Sequence, residues 1–178
     1  MKSLLKIGAL AVFAILLSSE FSIAQERGKG DRPSPNASVS QDIGSTTVTI
    51  TYGRPGLKGR SLSSLAPNNK VWRTGANEST AITFSTDVMF GGKAVKAGTY
   101  SLYTIPGDDW TFIINNKLSW GTQYDESEDV LRVPAAVTTE GASSFERFTI
   151  YFDTLTDKKA HLNLQWGNTL TAIPITIK

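Results

Sequence analysis

The clearest strand in this chain is the run Thr47-Val48-Thr49-Ile50-Thr51-Tyr52. Val48, Ile50 and Tyr52 share one face of this run, and three threonines share the other. Because successive side chains of a strand point to opposite faces, this period of two indicates a strand with one buried face. β-branched residues, which favour extended backbone, also fill the run. We therefore predict a strand over residues 47–52.

Turn signals divide the chain beyond this strand into further extended runs. Gly91-Gly92 favours a tight hairpin between the run 81–90 and a return strand over residues 93–95. Other alternating runs are predicted as strands over residues 99–105, 110–115, 130–137, 145–153, 160–166 and 172–177. Only residues 62–65 and 124–129 are candidates for a helical turn, since no longer window keeps a helical stripe.

The spacing of these runs predicts an all-β domain. Eight or nine short strands without an amphipathic helix favour an antiparallel β-sandwich of jelly-roll type. Residues 99–105 carry apolar side chains on both faces, which indicates a central, covered strand. The chain has no cysteine, so no disulfide can stabilise it. A domain of about 150 residues is large enough to rely on a hydrophobic core.

The N-terminus has the composition of a secretory signal peptide. Lys2 and Lys6 precede an apolar run over residues 7–17, and Ser22-Ile23-Ala24 supplies small residues for cleavage. The apolar run is shorter than the roughly 20 residues that span a bilayer. We predict cleavage after Ala24, export to the periplasm or the medium, and no membrane anchor in the mature chain.

Three segments are predicted in total: the signal peptide over 1–24, a flexible leader over 25–36 and one domain over 37–178. The leader is rich in glycine, proline and charged residues and has no apolar periodicity. Removing the signal peptide takes two lysines and one glutamate from the 18 basic and 16 acidic residues of the chain. The nearly neutral mature chain argues against nucleic acid as a partner and offers no polybasic membrane anchor.

Two polar loops in the first half of the chain predict a functional site. The first is the segment Tyr52-Gly53-Arg54-Pro55-Gly56-Leu57-Lys58-Gly59-Arg60, and the second runs from Val71 to Thr80. Loops on a rigid scaffold commonly carry binding groups, and arginine suits carboxylate or phosphate. The predicted ligand-binding residues are Tyr52, Arg54, Lys58, Arg60, Trp72, Arg73, Asn77 and Glu78.

Three functions are compatible with these loops. The first hypothesis is a module that binds a small anionic or carbohydrate-like ligand. The second is a hydrolase or lyase acting on envelope carbohydrate or peptide, with Glu78 as acid or base and Arg73 stabilising negative charge. The third is an envelope scaffold or partner-binding domain. A structural alternative pairs Arg73 with Glu78 and places Trp72 at the rim of the core.

Several other chemistries have no support in the sequence. The single histidine, His161, and the lack of cysteine argue against a zinc site and against a Ser-His-Asp triad. No nucleotide-binding motif is present, and no cofactor is predicted. The acidic run Asp125-Glu126-Ser127-Glu128-Asp129 favours a solvated turn over a calcium site. Trp120 is expected to fill the core, with ligand stacking as the alternative.

The same residues resemble a known family. The shared motifs are Tyr52-x-Arg54-Pro55, Lys58-Gly59-Arg60, Val71-Trp72-Arg73-Thr74-Gly75-Ala76-Asn77-Glu78, Ala97-Gly98-Thr99-Tyr100-Ser101-Leu102, Thr104-Ile105-Pro106-Gly107, Trp110, Trp120-Gly121 and Tyr124-Asp125. On these motifs, residues 37–178 resemble an exported bacterial family catalogued as domain of unknown function number 2911. The resemblance implies a β-rich periplasmic or secreted domain, and it implies no activity.

Overall fold

A computed structural model describes residues 27–139 and 143–177. The predicted signal peptide and the first two residues of the predicted leader lie outside these ranges. Within them the all-β prediction is confirmed, because the chain forms antiparallel strands with one short helix and one 3₁₀ turn. None of the helices in the described ranges has the length and apolar character needed to cross a membrane.

The described strands number eleven rather than the eight or nine predicted. They are β1 (Asn36–Ile43), β2 (Thr46–Gly53), β3 (Thr80–Phe84), β4 (Val88–Phe90), β5 (Lys93–Val95), β6 (Gly98–Ile105), β7 (Asp109–Asn115), β8 (Asp129–Thr138), β9 (Phe145–Thr156), β10 (Lys159–Gly167) and β11 (Thr169–Thr176). The helix α1 covers Leu62–Leu65, and the 3₁₀ turn covers Glu126–Glu128, both inside the two windows that the sequence indicated.

Two strand predictions needed correction. The sequence analysis assigns no strand to residues 36–43, which fall at the boundary between the predicted leader and the predicted domain, yet β1 pairs along its whole length with β2. The predicted single run 81–90 is two strands, interrupted at residues 85–87. The first of them, β3, pairs with β2 and β6, whereas β4 pairs with β11 and with β5.

The strands form one continuous path in the order β1-β2-β3-β6-β7-β8-β11-β10-β9, and this path curls into a nearly closed barrel. The segment after β2 closes part of the gap: the Phe148 amide donates to the Pro55 carbonyl at 2.9 Å, and the Leu57 amide donates to the Glu146 carbonyl at 2.9 Å. A jelly-roll sandwich is therefore not confirmed. Alternation predicts which side chains are buried, but a sandwich and a rolled sheet bury the same alternate residues.

The core lies inside the rolled sheet and is aromatic at one end. Trp72 stacks on Trp166 with ring centroids 5.5 Å apart and planes 17° apart. Trp110 and Phe148 also contact Trp72 edge to face, with ring centroids 6.0 and 5.0 Å from that of Trp72. Such offset and edge-to-face pairs add to the stabilisation from burial. Trp72 is thus a core residue that reaches the barrel end, as the structural alternative anticipated.

The opposite side of β1, β2, β3, β6, β7 and β8, here called the outer face, is partly covered by loops. Ser101 and Tyr103 point to this face from β6, and both are fully buried. The Ser101 hydroxyl lies 2.7 Å from that of Ser79, and the Tyr103 ring lies 4.9 Å from that of Tyr124. The prediction that β6 is covered on both faces is confirmed. The outer face is therefore a second buried layer, and it is polar.

Candidate functional site

Four of the eight predicted ligand-binding residues line one pocket of about 200 Å³ at the aromatic end of the barrel. They are Arg60, Trp72, Arg73 and Asn77. The other lining residues are Ser34, Pro55, Leu65, Gly75, Ala76 and Trp166. We call this the tryptophan-end pocket. Its walls come from both predicted loops, which the contacts between the segment after β2 and strand β9 hold in place.

The backbone of the second loop is held in an unusual conformation. Thr74 has φ 53° and Asn77 has φ 66°, both in the left-handed region. A β-branched residue there is a steric outlier, and such strain costs on the order of 1–3 kcal/mol. The buried Thr74 hydroxyl lies 3.1 Å from that of Thr104, and the Thr80 hydroxyl donates to the Thr74 carbonyl at 2.6 Å. Strain held by buried hydrogen bonds is common at ligand sites.

Gly53 explains the close contact between the two predicted loops. The Ala76 amide donates to the Gly53 carbonyl at 3.3 Å, so the loop backbones touch directly. A Cβ atom at position 53 would collide with the Ala76 carbonyl oxygen. The glycine within the Tyr-Gly-Arg-Pro motif therefore allows the second loop to reach the pocket.

Arg73 is a partly buried cation that forms no ion pair within residues 27–139 and 143–177. Its side chain passes beneath Gly121, and in the described part of the chain it donates no hydrogen bond. Its Nε atom is closed to solvent. Burial lowers the pKa of Arg73, and the nearby Tyr103 phenol opposes this shift. Buried cations are normally paired, so the free donors of Arg73 are suited to an anionic ligand.

Glu78 does not pair with Arg73, in contrast to the structural alternative raised from the sequence. Its carboxylate, with 8% of the side chain exposed, accepts three hydrogen bonds of 2.9–3.1 Å from Arg32. Arg27 lies 3.4 Å from the same carboxylate. Both arginines belong to the segment that was predicted to be a flexible leader, and here they join it to the second loop.

This pairing keeps Glu78 ionised. Burial alone would raise the pKa of Glu78, but hydrogen bonds from Arg32 and from the Gly28 amide outweigh it and lower the pKa below its ordinary value. An acid catalyst needs the opposite shift, toward a protonated carboxyl near neutral pH. Glu78 is also not among the residues that line the tryptophan-end pocket. The geometry favours a structural role for this carboxylate.

The remaining predicted residues do not line the pocket. Tyr52 is buried in the core, where its hydroxyl accepts a hydrogen bond from the Ile150 amide at 3.0 Å. Arg54 donates to the Phe148 carbonyl at 3.1 Å and to the Thr149 hydroxyl at 2.7 Å, so it joins the first loop to β9. Lys58 is exposed on the first loop.

Several residues near the pocket were not predicted from sequence. Trp166 was assigned to a buried row of β10, and nothing local indicated that this row reaches Trp72. Ser34 was assigned to the leader. Arg27 and Arg32 contact Glu78 from 51 and 46 residues away, and sequence alone gives no signal for such a distant pairing.

The acidic run near residue 125 is used internally. The Asp125 carboxylate accepts from the Ser127 amide at 3.1 Å and caps the 3₁₀ turn. Asp129 accepts from the Tyr124 hydroxyl at 2.7 Å and from Arg132 at 2.8 Å. Across residues 27–139 and 143–177, no three His, Cys, Asp or Glu side chains are grouped to hold a metal ion.

Trp120 differs from its prediction as a core residue. It is 49% exposed, on the loop that covers part of the outer face. The sequence pattern around it predicted burial from residue type alone, because a tryptophan is usually well buried. The structure instead leaves its ring partly in solvent. The backbone of Trp120 pairs with that of Glu78 in an isolated antiparallel β-bridge.

Comparison with known proteins gives a family and no named relative. A family model described as "Protein of unknown function (DUF2911)" matches residues 34–175, which include all eleven strands apart from the last residue of β11, and both predicted loops. Nothing among the curated proteins or the solved structures matches the chain. Arg27 and Arg32 precede the matched region. On this match, the chain belongs to the DUF2911 family of proteins of unknown function.

Proposed function

We propose that this protein binds a small anionic ligand in the tryptophan-end pocket. The observation that carries the proposal is Arg73, a partly buried arginine that lines the pocket and donates no hydrogen bond in the described part of the chain. A ligand carboxylate or phosphate would provide the missing acceptor in charge-assisted hydrogen bonds. The strained backbone at Thr74 and Asn77 supports a functional use of the loop.

The size of the pocket limits the ligand. A volume of about 200 Å³ is below the range of roughly 300–1,000 Å³ typical of small-molecule sites. Trp72 and Trp166 are almost fully buried, so a sugar ring has little exposed indole surface on which to stack. These features favour a compact acid, at most the size of one sugar acid, over a neutral oligosaccharide.

We also propose that the protein meets this ligand outside the cytoplasm, in the periplasm or the medium. The support is the charged and apolar pattern of residues 1–24, which is typical of an export signal. Catalysis by Glu78 receives no corresponding support. Its carboxylate is paired with two arginines and lies outside the lining of the pocket.

A thermal-shift screen tests the binding proposal. The chain from Gln25 to Lys178 is screened against sugar acids, sugar phosphates, short carboxylic acids and neutral sugars. A ligand at 100 times its dissociation constant should raise the free energy of unfolding by about 2.7 kcal/mol. Arg73→Met keeps the aliphatic stem beneath Gly121 and removes the charge, so it should abolish the part of the shift that comes from this pocket.

Lys58→Ala is the matched control, because Lys58 is a nearby cation that does not line the pocket. Its ligand-induced shift should equal that of the unchanged protein. A shift as large in Arg73→Met as in the unchanged protein would contradict the proposed site. If no acid produces a shift in any variant, the scaffold or partner-binding hypothesis takes its place.

A further inference from the structure

The cluster of Arg27, Arg32 and Glu78 carries more positive than negative charge. Two arginines face one carboxylate, and the exposed fractions of the side chains are 7%, 21% and 8%. Arg32 makes three short hydrogen bonds to Glu78, whereas Arg27 only approaches it at 3.4 Å. The better hydrogen bond of Arg27, 2.6 Å long, goes to the neutral carbonyl of Ser79. Arg27 therefore supplies the surplus charge.

No other described acid compensates this charge. Asp31, in the same segment, is exposed and forms no ion pair with Arg27 in the described ranges. Burial lowers the pKa of Arg27, the attraction of Glu78 opposes this shift, and the repulsion of Arg32 adds to it. A buried cation in this state gains from any anion that reaches it.

The surplus charge lies beside a pocket on the outer face, separate from the tryptophan-end pocket. This outer-face pocket has a volume of about 380 Å³ and is lined by Arg27, Asn36, Ala37, Ser38 and Thr51. Ser38 of β1 and Thr51 of β2 are directly opposite each other in the register. Their side chains point away from the core, because their neighbours Val39 and Ile50 point into it.

Two of the lining residues carry buried polar atoms without a partner. The Nε atom of Arg27 and the hydroxyl oxygen of Thr51 have no hydrogen-bond partner in the described part of the chain, and both are closed to solvent. Such atoms are rare in folded proteins and commonly mark an absent water or ion. An anion that contacts them must shift the Arg27 side chain, so binding includes a small movement of the segment 27–35.

We infer that the outer-face pocket is a second binding site, for a carboxylate or phosphate group carried on a small hydroxylated molecule. The anionic group pairs with Arg27 and accepts from Thr51. The amide oxygen of Asn36, whose nitrogen donates to the Gly28 carbonyl at 3.0 Å, and the hydroxyl of Ser38 bind the polar body of the ligand. The outer-face pocket is shallow and open to solvent, and its volume of about 380 Å³ accommodates such a body beside the charged group.

The inference does not depend on the proposed function, because the two pockets share no lining residue. It is tested on protein expressed from the full chain, with the N-terminus determined by mass spectrometry. Glucuronate and glucose 6-phosphate are titrated while backbone amide chemical shifts are recorded, with glucose as the neutral control. Both acids should shift the amides of residues 36–38 and 51, and glucose should not.

Variants of the charge cluster give effects of opposite sign. Arg27→Gln should weaken binding by about tenfold or more, as expected for loss of a charge-assisted pair. Arg32→Gln should also weaken it, although Arg32 does not line the pocket, because Arg27 then pairs fully with Glu78. Glu78→Gln should strengthen it, since a further positive charge is left unpaired. Lys58→Ala, which removes an exposed cation that lines neither pocket, is the matched control and should leave these shifts unchanged.

Each variant is checked for native folding by its amide spectrum before titration, and Thr51→Val provides a second probe that leaves all charges in place. Weaker binding to Thr51→Val is expected. The inference is overturned if neither acid shifts residues 36–38 and 51. It is also overturned if Arg27→Gln binds as well as the unchanged chain, or if Arg32→Gln and Glu78→Gln change affinity in the same direction.

Discussion

The inner and outer faces of the same strands are buried in different ways. The inner face is filled by aromatic and aliphatic side chains, among them Trp72 and Trp166, which need no specific partner. The outer face is covered by polar loops. Of the four buried side-chain atoms without a hydrogen-bond partner in the described part of the chain, those on Arg27, Thr51 and Tyr103 belong to this side, and the fourth is on Arg73, which lines the tryptophan-end pocket.

This difference separates stability from binding. Burial of the inner face stabilises the fold by removing apolar surface from water. This effect does not depend on a precise orientation of the contacting groups. The outer face instead places charges and hydroxyls where water cannot reach them, and each costs about 1–3 kcal/mol while it stays unpaired. Unpaired buried atoms of this kind call for an explanation in a folded protein, and the anion proposed above for the outer-face pocket would supply one at Arg27 and Thr51.

The largest expected effect comes from breaking the inner face. Trp72→Ala removes a ring that contacts Trp166, Trp110 and Phe148, and it should lower the free energy of unfolding by about 3–5 kcal/mol. Urea denaturation measures the loss. Trp120→Ala is the control, because the half-exposed Trp120 should change stability by less than about 0.5 kcal/mol. Equal losses for both would contradict this description of the core.

Removing the one anion of the outer cluster should have the next largest effect. Glu78→Gln leaves Arg27 and Arg32 without a countercharge, which should cost about 3 kcal/mol in the same denaturation experiment. Asp87→Asn, which disrupts an exposed ion pair with Lys96, is the control and should cost less than about 1 kcal/mol.

The pH dependence of this loss follows from the lowered pKa of Glu78. The folded state holds the carboxylate ionised, so its contribution is complete above the unfolded pKa of about 4.3 and disappears as pH falls through the lower folded value. The stability difference between the unchanged protein and Glu78→Gln should therefore be constant near neutral pH and shrink below about pH 4. A difference that persists unchanged at pH 2 would argue against the pairing.

Tyr103→Phe tests the same contrast between the two faces with a smaller effect, because it should increase the free energy of unfolding instead of lowering it. It removes a fully buried hydroxyl that has no partner in the described ranges, so stability should rise by about 1 kcal/mol. Tyr124→Phe is the control, because that hydroxyl is bonded to Asp129 and Arg132, and its loss should destabilise the protein. A loss of stability in Tyr103→Phe would show that the Tyr103 hydroxyl has a hydrogen-bond partner in solution.

The smallest effect is expected at Lys58. Its side chain is exposed and lines neither pocket, although the sequence placed it in the predicted site. Lys58→Ala should change the free energy of unfolding by less than about 0.5 kcal/mol, and it should leave ligand binding unaltered. Thermal denaturation with and without ligand checks both points. A clear loss of binding would restore Lys58 to the site.

The sequence predicted the inner face well because its signal is local. Alternation over residues 47–52 and 99–105 identified strands and their buried sides, and Gly91-Gly92 located a hairpin. The strand β1 was missed because serine and glutamine weaken its alternation. The rolled sheet was missed because its closure depends on contacts between the first loop and β9, which no local pattern encodes.

The site was predicted only in part, because some of its residues have a local signal and others come together through distant contacts. The Arg73 and Asn77 region stood out through its glycines and charged residues, which marked it as a loop. Its relation to Trp166, and the pairing of Glu78 with Arg32, join distant segments. The glycine- and proline-rich composition of the segment 27–35 suggested flexibility. Composition alone does not reveal that Arg27 and Arg32 of this segment pair with the buried carboxylate of Glu78.

The contact between the first loop and β9 has a consequence for the order of folding. Arg54 and Phe148 are 94 residues apart, whereas the pairs β1–β2, β6–β7 and β10–β11 join neighbouring segments. Closing a longer loop costs more chain entropy, so such distant contacts tend to form late. The wall of the tryptophan-end pocket that carries Arg60 is therefore completed only after β9 has been synthesised and has docked, and a nascent chain that ends before β9 lacks this wall.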